Sequence, residues 1–311
     1  MWRGLLVCLC AVLLFAVVPG TARPREQRSV RAVRLWKFEY RAHDGRDRAA
    51  YVLLPAWYGP NHNPPLPLII SPHGRGVDGQ ANARLWGRIP ATHRLAVVNP
   101  DGEGRRLSLH SWGYPGQISD LARMPELVHQ ALPWLRVARD RVYAIGASMG
   151  GQEALLLTAR DPDMLKGTAV FDAPTDFALQ YRLFPKLPCD ASCRQRWRGP
   201  IGLGLQHLAR IEVGGSPSQV PGAYAARSPL QVARRIARSG VPLGFWWSMR
   251  DRVIPDPARQ EQRFLDALAD SHPRADVHDV AGSWRHVTAM RLNLPAALKW
   301  LRLEPSISGK T

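Results

Sequence analysis

Acidic residues and lysine are scarce in this 311-residue sequence. It has 25 Asp and Glu residues against 42 Lys and Arg residues, and only five of the basic residues are lysine, which leaves a formal net charge of +17. The arginines are scattered along the chain and are not grouped with aromatic residues, so the excess charge does not predict nucleic-acid binding. A G+C-rich coding sequence explains the arginine excess more simply. A weak attraction to anionic cell-surface polymers is the alternative.

Cysteine is also rare, and its positions argue against a metal centre. Of the four cysteines, Cys8 and Cys10 lie in the N-terminal apolar segment, so only Cys189 and Cys193 remain in the rest of the chain. Two thiolates supply half of a zinc shell, and no histidine lies nearby, so the sequence "CDASC" predicts a local disulfide. No pair of histidines and carboxylates shows metal-ligand spacing, and no G-x-G-x-x-G motif follows the first strand of a nucleotide-binding unit. The sequence therefore predicts no metal and no cofactor.

The N-terminal segment has the three parts of a secretory signal peptide. Arg3 precedes a short apolar run, and small residues follow at Gly20 and Ala22. This pattern predicts a signal peptide over residues 1–22, cleavage after Ala22, and a secreted or extracytoplasmic mature chain of residues 23–311. The apolar run is short for a bilayer span, which needs about 20 residues. An uncleaved N-terminal anchor is the alternative.

The rest of the chain lacks repeats, but apolar β-type runs alternate with helical segments throughout. The predicted strands cover residues 33–40, 49–57, 66–71, 95–100, 141–147, 167–173, 241–248 and 275–280. The predicted helices cover residues 80–93, 117–136, 149–160, 229–239, 256–270 and 286–302. Most of the strands are continuous apolar runs, which is typical of strands buried on both faces of a parallel sheet. An antiparallel hairpin followed by six strand–helix repeats predicts one domain with a three-layer α/β fold and a mostly parallel, eight-stranded sheet.

Residues 175–227 interrupt this alternation. The stretch is rich in Pro, Gly and Arg, and it contains Cys189 and Cys193. It follows a strand of the predicted parallel sheet, and ligands of such sheets bind at the carboxyl ends of the strands. We therefore predict an irregular, cap-like insertion that forms a wall of the ligand site.

The sequence "GASMG", residues 146–150, is a G-x-S-x-G pattern between a predicted strand and a predicted helix. This context is typical of a nucleophile elbow, in which a serine occupies a strained turn and the glycines let neighbouring backbone come close. The N-terminal amides of the helix favour a developing anion at the serine. The sequence therefore predicts Ser148 as a catalytic nucleophile, and a tight turn that happens to contain a serine is the alternative.

An elbow serine needs a base and an acid, and these residues are expected on loops after later strands. Asp251 comes three residues after the seventh predicted strand, whereas Asp256 lies between two prolines where it resembles a helix N-cap, so Asp251 is the predicted acid. His286 lies in the loop after the eighth predicted strand. It is the predicted base, in preference to His278 within that strand and His272 in the turn before it.

The loop "SPHGRG" follows the third predicted strand and fits an oxyanion loop. Its glycines, at positions 74 and 76, allow the backbone to turn its amides inward. The predicted oxyanion hole combines the amide of Met149, directly after the serine, with the amide of Arg75, and Gly74 is the alternative to Arg75. His73 is predicted to anchor this loop and not to act as the base.

Three residues are candidates for substrate binding. Asp101 follows the fourth predicted strand within "NPDGEGR", and Trp112 and Tyr114 lie in "HSWGYPGQ". The two aromatic side chains are suited to stacking on a sugar or an aromatic acid. A glycine-rich turn for Asp101 and ordinary packing for the two aromatic residues are the alternatives.

Four motifs, taken in chain order, resemble the α/β-hydrolase superfamily across nearly the whole chain after the signal segment. They are H-G-x-G at 73–76, "GASMGG" at 146–151, "RDRVIP" around Asp251 and "SWRH" ending at His286. The segment "SDLARMPELVHQALPWLRVARDRVYAIGASMGGQEAL" is similar to secreted feruloyl, acetylxylan and polyhydroxybutyrate-depolymerase-like esterases, and to prolyl-oligopeptidase-like serine hydrolases. The resemblance implies the α/β-hydrolase fold and a Ser-His-Asp hydrolase that works through an acyl-enzyme.

The leading functional prediction is a secreted serine esterase that acts on a small-molecule or polymer carboxylic ester. A prolyl-oligopeptidase-like serine peptidase without a propeller is the second, and a non-catalytic binding protein with a hydrolase-like fold is the third. The complete set of Ser148, Asp251, His286 and the H-G-x-G loop argues against the third. The insertion at 175–227 departs from the esterase pattern, so the resemblance does not fix the substrate.

Overall fold

The computed structural model describes residues 32–102, 112–197 and 199–305. The predicted signal peptide and its alternative, an N-terminal anchor, lie outside these residues. Within the described ranges, no helix combines the length and the apolarity that crossing a membrane requires.

Eight strands form one sheet, and each lies close to a predicted strand. They are β1 (Val33–Arg41), β2 (Asp47–Pro55), β3 (Leu66–Ile70), β4 (Ala96–Pro100), β5 (Val137–Ala147), β6 (Gly167–Phe171), β7 (Leu243–Ser248) and β8 (Val277–Gly282). Their order across the sheet is β1-β2-β4-β3-β5-β6-β7-β8. β2 is antiparallel to both of its neighbours, and every other neighbouring pair is parallel. The predicted mostly parallel, eight-stranded sheet is therefore confirmed.

Buried apolar residues on both faces make this sheet the middle layer of the fold. In β3, Leu68 and Ile70 pack into one hydrophobic core, while Ile69 between them packs into a second one. A strand produces this alternation when helices cover both sides of the sheet. β8 differs, because it lies at the edge of the sheet beside β7 and is only partly buried.

The helices surround the sheet. They are α1 (Gly79–Leu85), α2 (Ile89–His93), α3 (Pro115–Ala131), α4 (Met149–Arg160), α5 (Phe177–Leu183), α6 (Ala191–Trp197), α7 (Ile201–Val213), α8 (Pro221–Ala225), α9 (Ala233–Arg238), α10 (Arg263–Asp270) and α11 (Ala289–Trp300). α4 has the predicted bounds. The predicted helix at 80–93 is divided at Gly87, where φ is 50°. The predicted helix at 256–270 begins with a π-helical turn, Ala258–Gln262.

The insertion at 175–227 is helical, so the prediction of an irregular segment is wrong. It contains α5, α6, α7 and α8. Several of its prolines and glycines lie at helix ends: Pro200 precedes α7, Gly214 ends it with a φ of 88°, and Pro221 is the first residue of α8. In this segment, a composition rich in Pro and Gly therefore reflects the boundaries of short helices and not irregular structure. The predicted disulfide between Cys189 and Cys193 is present.

An aromatic cluster joins the insertion to the rest of the fold. Trp112 stacks on Phe177 with ring centroids 5.3 Å apart, and Phe177 stacks on Tyr224 at 5.3 Å. Met149 is fully buried in the same cluster. Since Met149 directly follows Ser148, the insertion packs onto the turn that carries the predicted nucleophile.

Candidate active site

Ser148 lies in the turn between β5 and α4, in a strained backbone conformation. Its φ is 57° and its ψ is −129°, which residues with a side chain rarely adopt. The Ser148 amide donates to the carbonyl of Phe171 at 2.8 Å, and the Ser148 carbonyl accepts from the amide of Gln152 at 3.0 Å. The serine is partly exposed. A strand, a strained serine and a helix in this order have the geometry of a nucleophile elbow.

Close backbone contacts explain the two glycines of the elbow. A Cβ on Gly146 would lie 2.4 Å from the carbonyl oxygen of Gly150, and a Cβ on Gly150 would lie 2.2 Å from the carbonyl oxygen of Pro72. Both distances are far shorter than van der Waals contact, which is about 3.5 Å for carbon. Any side chain at either position would force the elbow or the loop at Pro72 to move.

His286 and Asp251 form a short hydrogen bond beyond the carboxyl ends of β7 and β8. His286 Nδ1 lies 2.6 Å from Asp251 Oδ2. The other oxygen, Asp251 Oδ1, accepts the amides of Val253 at 2.7 Å and Ile254 at 3.0 Å. These bonds fix the carboxylate, which orients the imidazole with Nδ1 as the donor and Nε2 as the acceptor. The structure therefore brings together the two residues predicted as acid and base.

Asp172 is a further acid at this site, and the sequence reasoning did not identify it. It follows β6 directly with a φ of 44°, and its Oδ2 accepts from the indole Nε1 of Trp284 at 3.1 Å. One carboxylate oxygen from Asp172, one from Asp251 and one ring nitrogen of His286 all lie within 4.8 Å of one another. A signal was available, because Asp172 is the first residue after a buried strand that neighbours the strand of the elbow.

The two carboxyl groups and the imidazole alter one another's proton affinity. Burial and the negative charge of Asp251 raise the pKa of Asp172 to about 7. Burial opposes the charged form of His286, but the hydrogen bond to Asp251 and the charges of both carboxyl groups outweigh burial and raise the pKa of His286. Near neutral pH, Asp172 is therefore close to half protonated, and its charge is linked to that of the histidine.

Asp172, Asp251 and His286 are also the kinds of ligand that bind metal ions. Hydrogen bonds already engage the facing atoms, since Asp251 Oδ2 pairs with His286 Nδ1 and Asp172 accepts from Trp284. Hydrogen bonding thus explains the cluster without a cation. The expected absence of a metal and of any cofactor stays a prediction.

The predicted oxyanion loop packs against the elbow. A Cβ on Gly74 would lie 3.9 Å from both the Ser148 Cβ and the Ala147 carbonyl oxygen. His73 holds the loop, because its Nε2 accepts the Gly102 amide at 3.0 Å and its Nδ1 lies 2.9 Å from the Gly74 carbonyl oxygen. Burial lowers the pKa of His73, which keeps the ring neutral and able to accept. This geometry fits an anchor and not a base.

The side chain of Arg75 binds the insertion. Its Nη1 lies 2.7 Å from Glu212 Oε1 in α7, and both side chains are almost fully buried. Its guanidinium lies over the Trp112 ring, 5.7 Å from the centroid. Met149 begins α4, where the first amides have no acceptor within the helix. The oxyanion roles of the Met149, Arg75 and Gly74 amides stay predictions.

The three candidate substrate-binding residues take part in packing. Asp101 is buried, and its Oδ1 accepts the Gly79 amide at 2.7 Å, so it holds the start of α1. Trp112 is only 4% exposed. Tyr114 contacts His43 in the turn between β1 and β2, with ring centroids 5.4 Å apart. These contacts fit a turn role for Asp101 and packing roles for the two aromatic residues, and the substrate-binding roles stay predictions.

The alternative acid and base candidates, Asp256, His278 and His272, lie in other surroundings. Asp256 Oδ1 accepts the Arg259 amide at 3.3 Å, as an N-cap does. His278 stacks on Trp300 with ring centroids 5.6 Å apart. His272 follows α10 with a φ of 52°. The Asp256 contact fits the N-cap that the sequence indicates, and His278 and His272 lie in a strand and a turn, as the sequence predicts.

The sequence matches no protein-family model and no curated protein. The structure is similar to a Bacteroides ovatus protein assigned as dipeptidyl aminopeptidase IV (TM-score 0.64, 18% identity, 88% of this chain and 36% of that chain). It is also similar to the fluorophosphonate-binding serine hydrolase F of Staphylococcus aureus (TM-score 0.60, 18% identity, 86% and 98% covered). A third neighbour is a ferulic acid esterase (TM-score 0.58, 16% identity, 87% and 98% covered). This chain spans about a third of the first protein and nearly all of the other two.

Proposed function

We propose that this protein, which has the α/β-hydrolase fold, is an exported serine hydrolase that cleaves carboxylic esters through an acyl-enzyme on Ser148. One observation carries the proposal, which is that Ser148, Asp251 and His286 follow the carboxyl ends of β5, β7 and β8 at one edge of the same sheet. A strained elbow serine lies against a glycine loop, and a histidine donates to an aspartate at 2.6 Å two and three strands away. The fold alone does not determine the chemistry, because α/β-hydrolases have many activities.

In the acylation step, Ser148 Oγ attacks the carbonyl carbon of the ester, and His286 Nε2 accepts the hydroxyl proton. Asp251 stabilises the resulting imidazolium through Nδ1. The negative charge that develops on the carbonyl oxygen is held by the amides of Met149 and Arg75, with Gly74 as the alternative donor. His286 then returns the proton to the leaving alkoxide, so the alcohol departs and Ser148 carries the acyl group.

Deacylation repeats these steps with water as the nucleophile. His286 Nε2 takes a proton from water, and the hydroxide attacks the acyl carbon. The second tetrahedral intermediate collapses and releases the carboxylic acid, and His286 gives its proton back to Ser148 Oγ. The reaction needs no electron acceptor and no co-substrate except water.

Export is supported by the signal-like N-terminal segment and by the disulfide between Cys189 and Cys193, since disulfides persist in oxidising compartments. Expression of the full chain in a host with a secretory pathway tests this part. We expect the mature protein outside the cytoplasm, with an N-terminus after Ala22 by mass spectrometry. An intact N-terminus in the membrane fraction would instead identify an anchor.

A fluorophosphonate probe tests the nucleophile. We expect it to label the wild-type protein, and we expect Ser148→Ala to remove labelling completely. His286→Ala should slow labelling on the order of 10⁴-fold or more. His278→Ala is the matched control, because it removes a histidine from β8, the strand that precedes the His286 loop, and should leave labelling intact. Labelling that persists in Ser148→Ala, or that depends on His278 and not on His286, would show that the site is assigned wrongly.

Substrate assays then separate esterase from peptidase activity. The similarity to a peptidase-related structure with a TM-score of 0.64 makes a peptidase the second candidate. We expect hydrolysis of p-nitrophenyl acetate and little hydrolysis of a peptide p-nitroanilide. The reverse preference would favour the peptidase, and failure of the probe to label Ser148 at all would favour a non-catalytic binding protein.

A further inference from the structure

A cavity of about 430 Å³ lies directly beside His286. Its walls include the three arginines Arg250, Arg252 and Arg285, together with Val253, Trp284 and His286. The volume is large enough for part of a small-molecule ligand. Since the histidine forms part of the wall, a ligand in this cavity would lie next to the residue that moves the proton in the proposed reaction.

The arginines belong to the same two loops that carry the acid–base pair. Arg250 and Arg252 flank Asp251 in the loop after β7, and Arg285 precedes His286 in the loop after β8. β7 and β8 are parallel neighbours, and the last residues of the two strands are paired in register. Two adjacent loops of the sheet therefore bring three cationic side chains to one cavity.

The second loop is held firmly in place. Ser248 Oγ at the end of β7 donates to the Trp284 carbonyl oxygen at 2.6 Å, and the Trp284 indole donates to Asp172. Trp284 is thus fixed at both its backbone and its ring. Arg285 and His286 follow it directly, so their positions beside the cavity do not depend on a bound ligand.

No carboxylate forms an ion pair with these arginines in the part of the chain that the structure describes. The three guanidinium groups take part in no ion pair and no hydrogen bond among the described residues. The nearest carboxyl groups have other partners: Asp251 binds His286 and two amides, and Asp172 binds Trp284. The described lining of the cavity contains three cations and no acid.

Other arginines of the chain, in contrast, have carboxylates close by. Arg48 lies 2.8 Å from Asp44 and 3.3 Å from Asp120. A second cavity, lined in part by Arg136 and Arg139, also contains Glu126. A chain rich in arginine explains exposed arginines in general, but it does not explain three of them around one cavity beside the histidine with no acid in its described lining.

We propose that the cavity lined by Arg250, Arg252 and Arg285 binds an anionic group of the substrate, so that the enzyme prefers esters carrying a carboxylate, sulfonate or phosphate. The proposal rests on the proposed ester hydrolysis at Ser148. An anion in the cavity is attracted by all three guanidinium groups, each of which offers several N–H donors in a planar fork. The excess positive charge of the whole chain adds a long-range attraction for such substrates.

Paired esters test the proposal. For the alcohol side, 4-acetoxybenzenesulfonate is compared with neutral 4-(methylsulfonyl)phenyl acetate. For the acyl side, the mono-4-nitrophenyl ester of glutaric acid is compared with 4-nitrophenyl 5-methylhexanoate, in which an isopropyl group replaces the carboxylate. In at least one pair we expect kcat/KM to be about tenfold or more higher for the anionic ester at low salt, and this preference should shrink as NaCl rises from about 20 mM to about 300 mM.

Arginine variants assign the preference to the cavity. The triple variant Arg250→Gln, Arg252→Gln and Arg285→Gln should lower the ratio of anionic to neutral kcat/KM by about tenfold or more. The matched control removes the same charge from exposed arginines at the amino end of β5, with Arg136→Gln, Arg139→Gln and Arg141→Gln. The control should change the ratio by less than about twofold. Circular dichroism melts will check that each variant is folded.

Three outcomes would overturn the inference. They are a wild-type ratio near or below one in both pairs, an unchanged ratio in the cavity variant, and an equal fall in both triple variants. Fluorophosphonate labelling distinguishes the two proposals. A labelled enzyme that hydrolyses neutral and anionic esters equally refutes only the anion site, whereas an enzyme that is labelled but hydrolyses no ester refutes both.

Discussion

Replacing Gly150 with alanine should improve helix propensity but create a steric clash, and these two effects change the free energy of unfolding in opposite directions. Gly150 is the second residue of α4, and alanine favours a helix over glycine by about 1 kcal/mol, so helix propensity alone predicts stabilisation. The new Cβ, however, would lie 2.2 Å from the carbonyl oxygen of Pro72 and 2.8 Å from its carbonyl carbon. Relieving this contact requires the loop and the helix to separate by about 1 Å.

The steric cost should exceed the gain in helix propensity. Overpacking a well-packed contact costs about 1–3 kcal/mol, and here the opposing atoms belong to backbone that cannot rotate away. After the propensity gain, we expect the free energy of unfolding to fall by about 1 kcal/mol and the midpoint of thermal unfolding by about 2–4 °C. Activity should fall further, on the order of 100-fold, because the displaced loop continues into Gly74 beside Ser148 and a misplacement of about 1 Å is costly in a preorganised site.

Thermal unfolding and the rate of fluorophosphonate labelling measure the two effects separately. Gly204→Ala is the matched control, because Gly204 lies within α7 and its added Cβ would have no described atom within 4 Å. The control should keep its labelling rate and show an equal or higher midpoint. If Gly150→Ala also labels at the wild-type rate with an undiminished midpoint, the contact with Pro72 does not constrain the elbow and the steric argument is refuted.

Two further predictions concern buried charge. The pKa of Asp172 is about 7 in the fold against an ordinary 3.8. Its contribution to the free energy of unfolding is therefore complete below pH 3.8 and is lost as pH rises towards 7, and the total loss is roughly 4 kcal/mol. Urea unfolding at pH 5 and pH 8 tests this. Between these pH values, the free energy of unfolding should fall by roughly 2–3 kcal/mol less for Asp172→Asn than for the wild type. Equal falls in the two proteins would contradict the raised pKa of Asp172. Glu212→Gln removes the charge that faces Arg75 at 2.7 Å and should cost about 3 kcal/mol in urea unfolding at pH 7.5. A cost below about 0.5 kcal/mol would mean that water screens this pair.

The strands were predictable because their signal is local. β3, β4 and β6 are buried along their whole length, and each appears in the sequence as a continuous or nearly continuous apolar run. The elbow was predictable for a related reason, since its glycines are required by contacts within the motif and with the loop at Pro72. Asp251 and His286 could be named because each follows a recognisable strand, and the structure brings them to 2.6 Å.

The remaining features depend on contacts between distant parts of the chain. Asp172 gains its place in the site from Trp284, which lies 112 positions later in the sequence. Trp112 was a candidate for stacking on a ligand, but Phe177 and Phe184 of the insertion take that place. The helices of the insertion are five to thirteen residues long, and such short helices are stabilised mainly by packing and only weakly by their own sequence.

Because β8 lies at the edge of the sheet, the His286 side of the site should be less stable against local opening than the rest of the fold. His286 follows a strand with one described neighbour, whereas Ser148 follows β5, which has a strand on each side. Elements at the edge of a structure open locally at a lower free energy than its centre. Backbone amides of β8 should therefore exchange with solvent sooner than those of β5. If His286 acts as proposed, mild denaturant should therefore abolish activity by opening this edge alone, and activity should return without refolding of the rest once the edge closes.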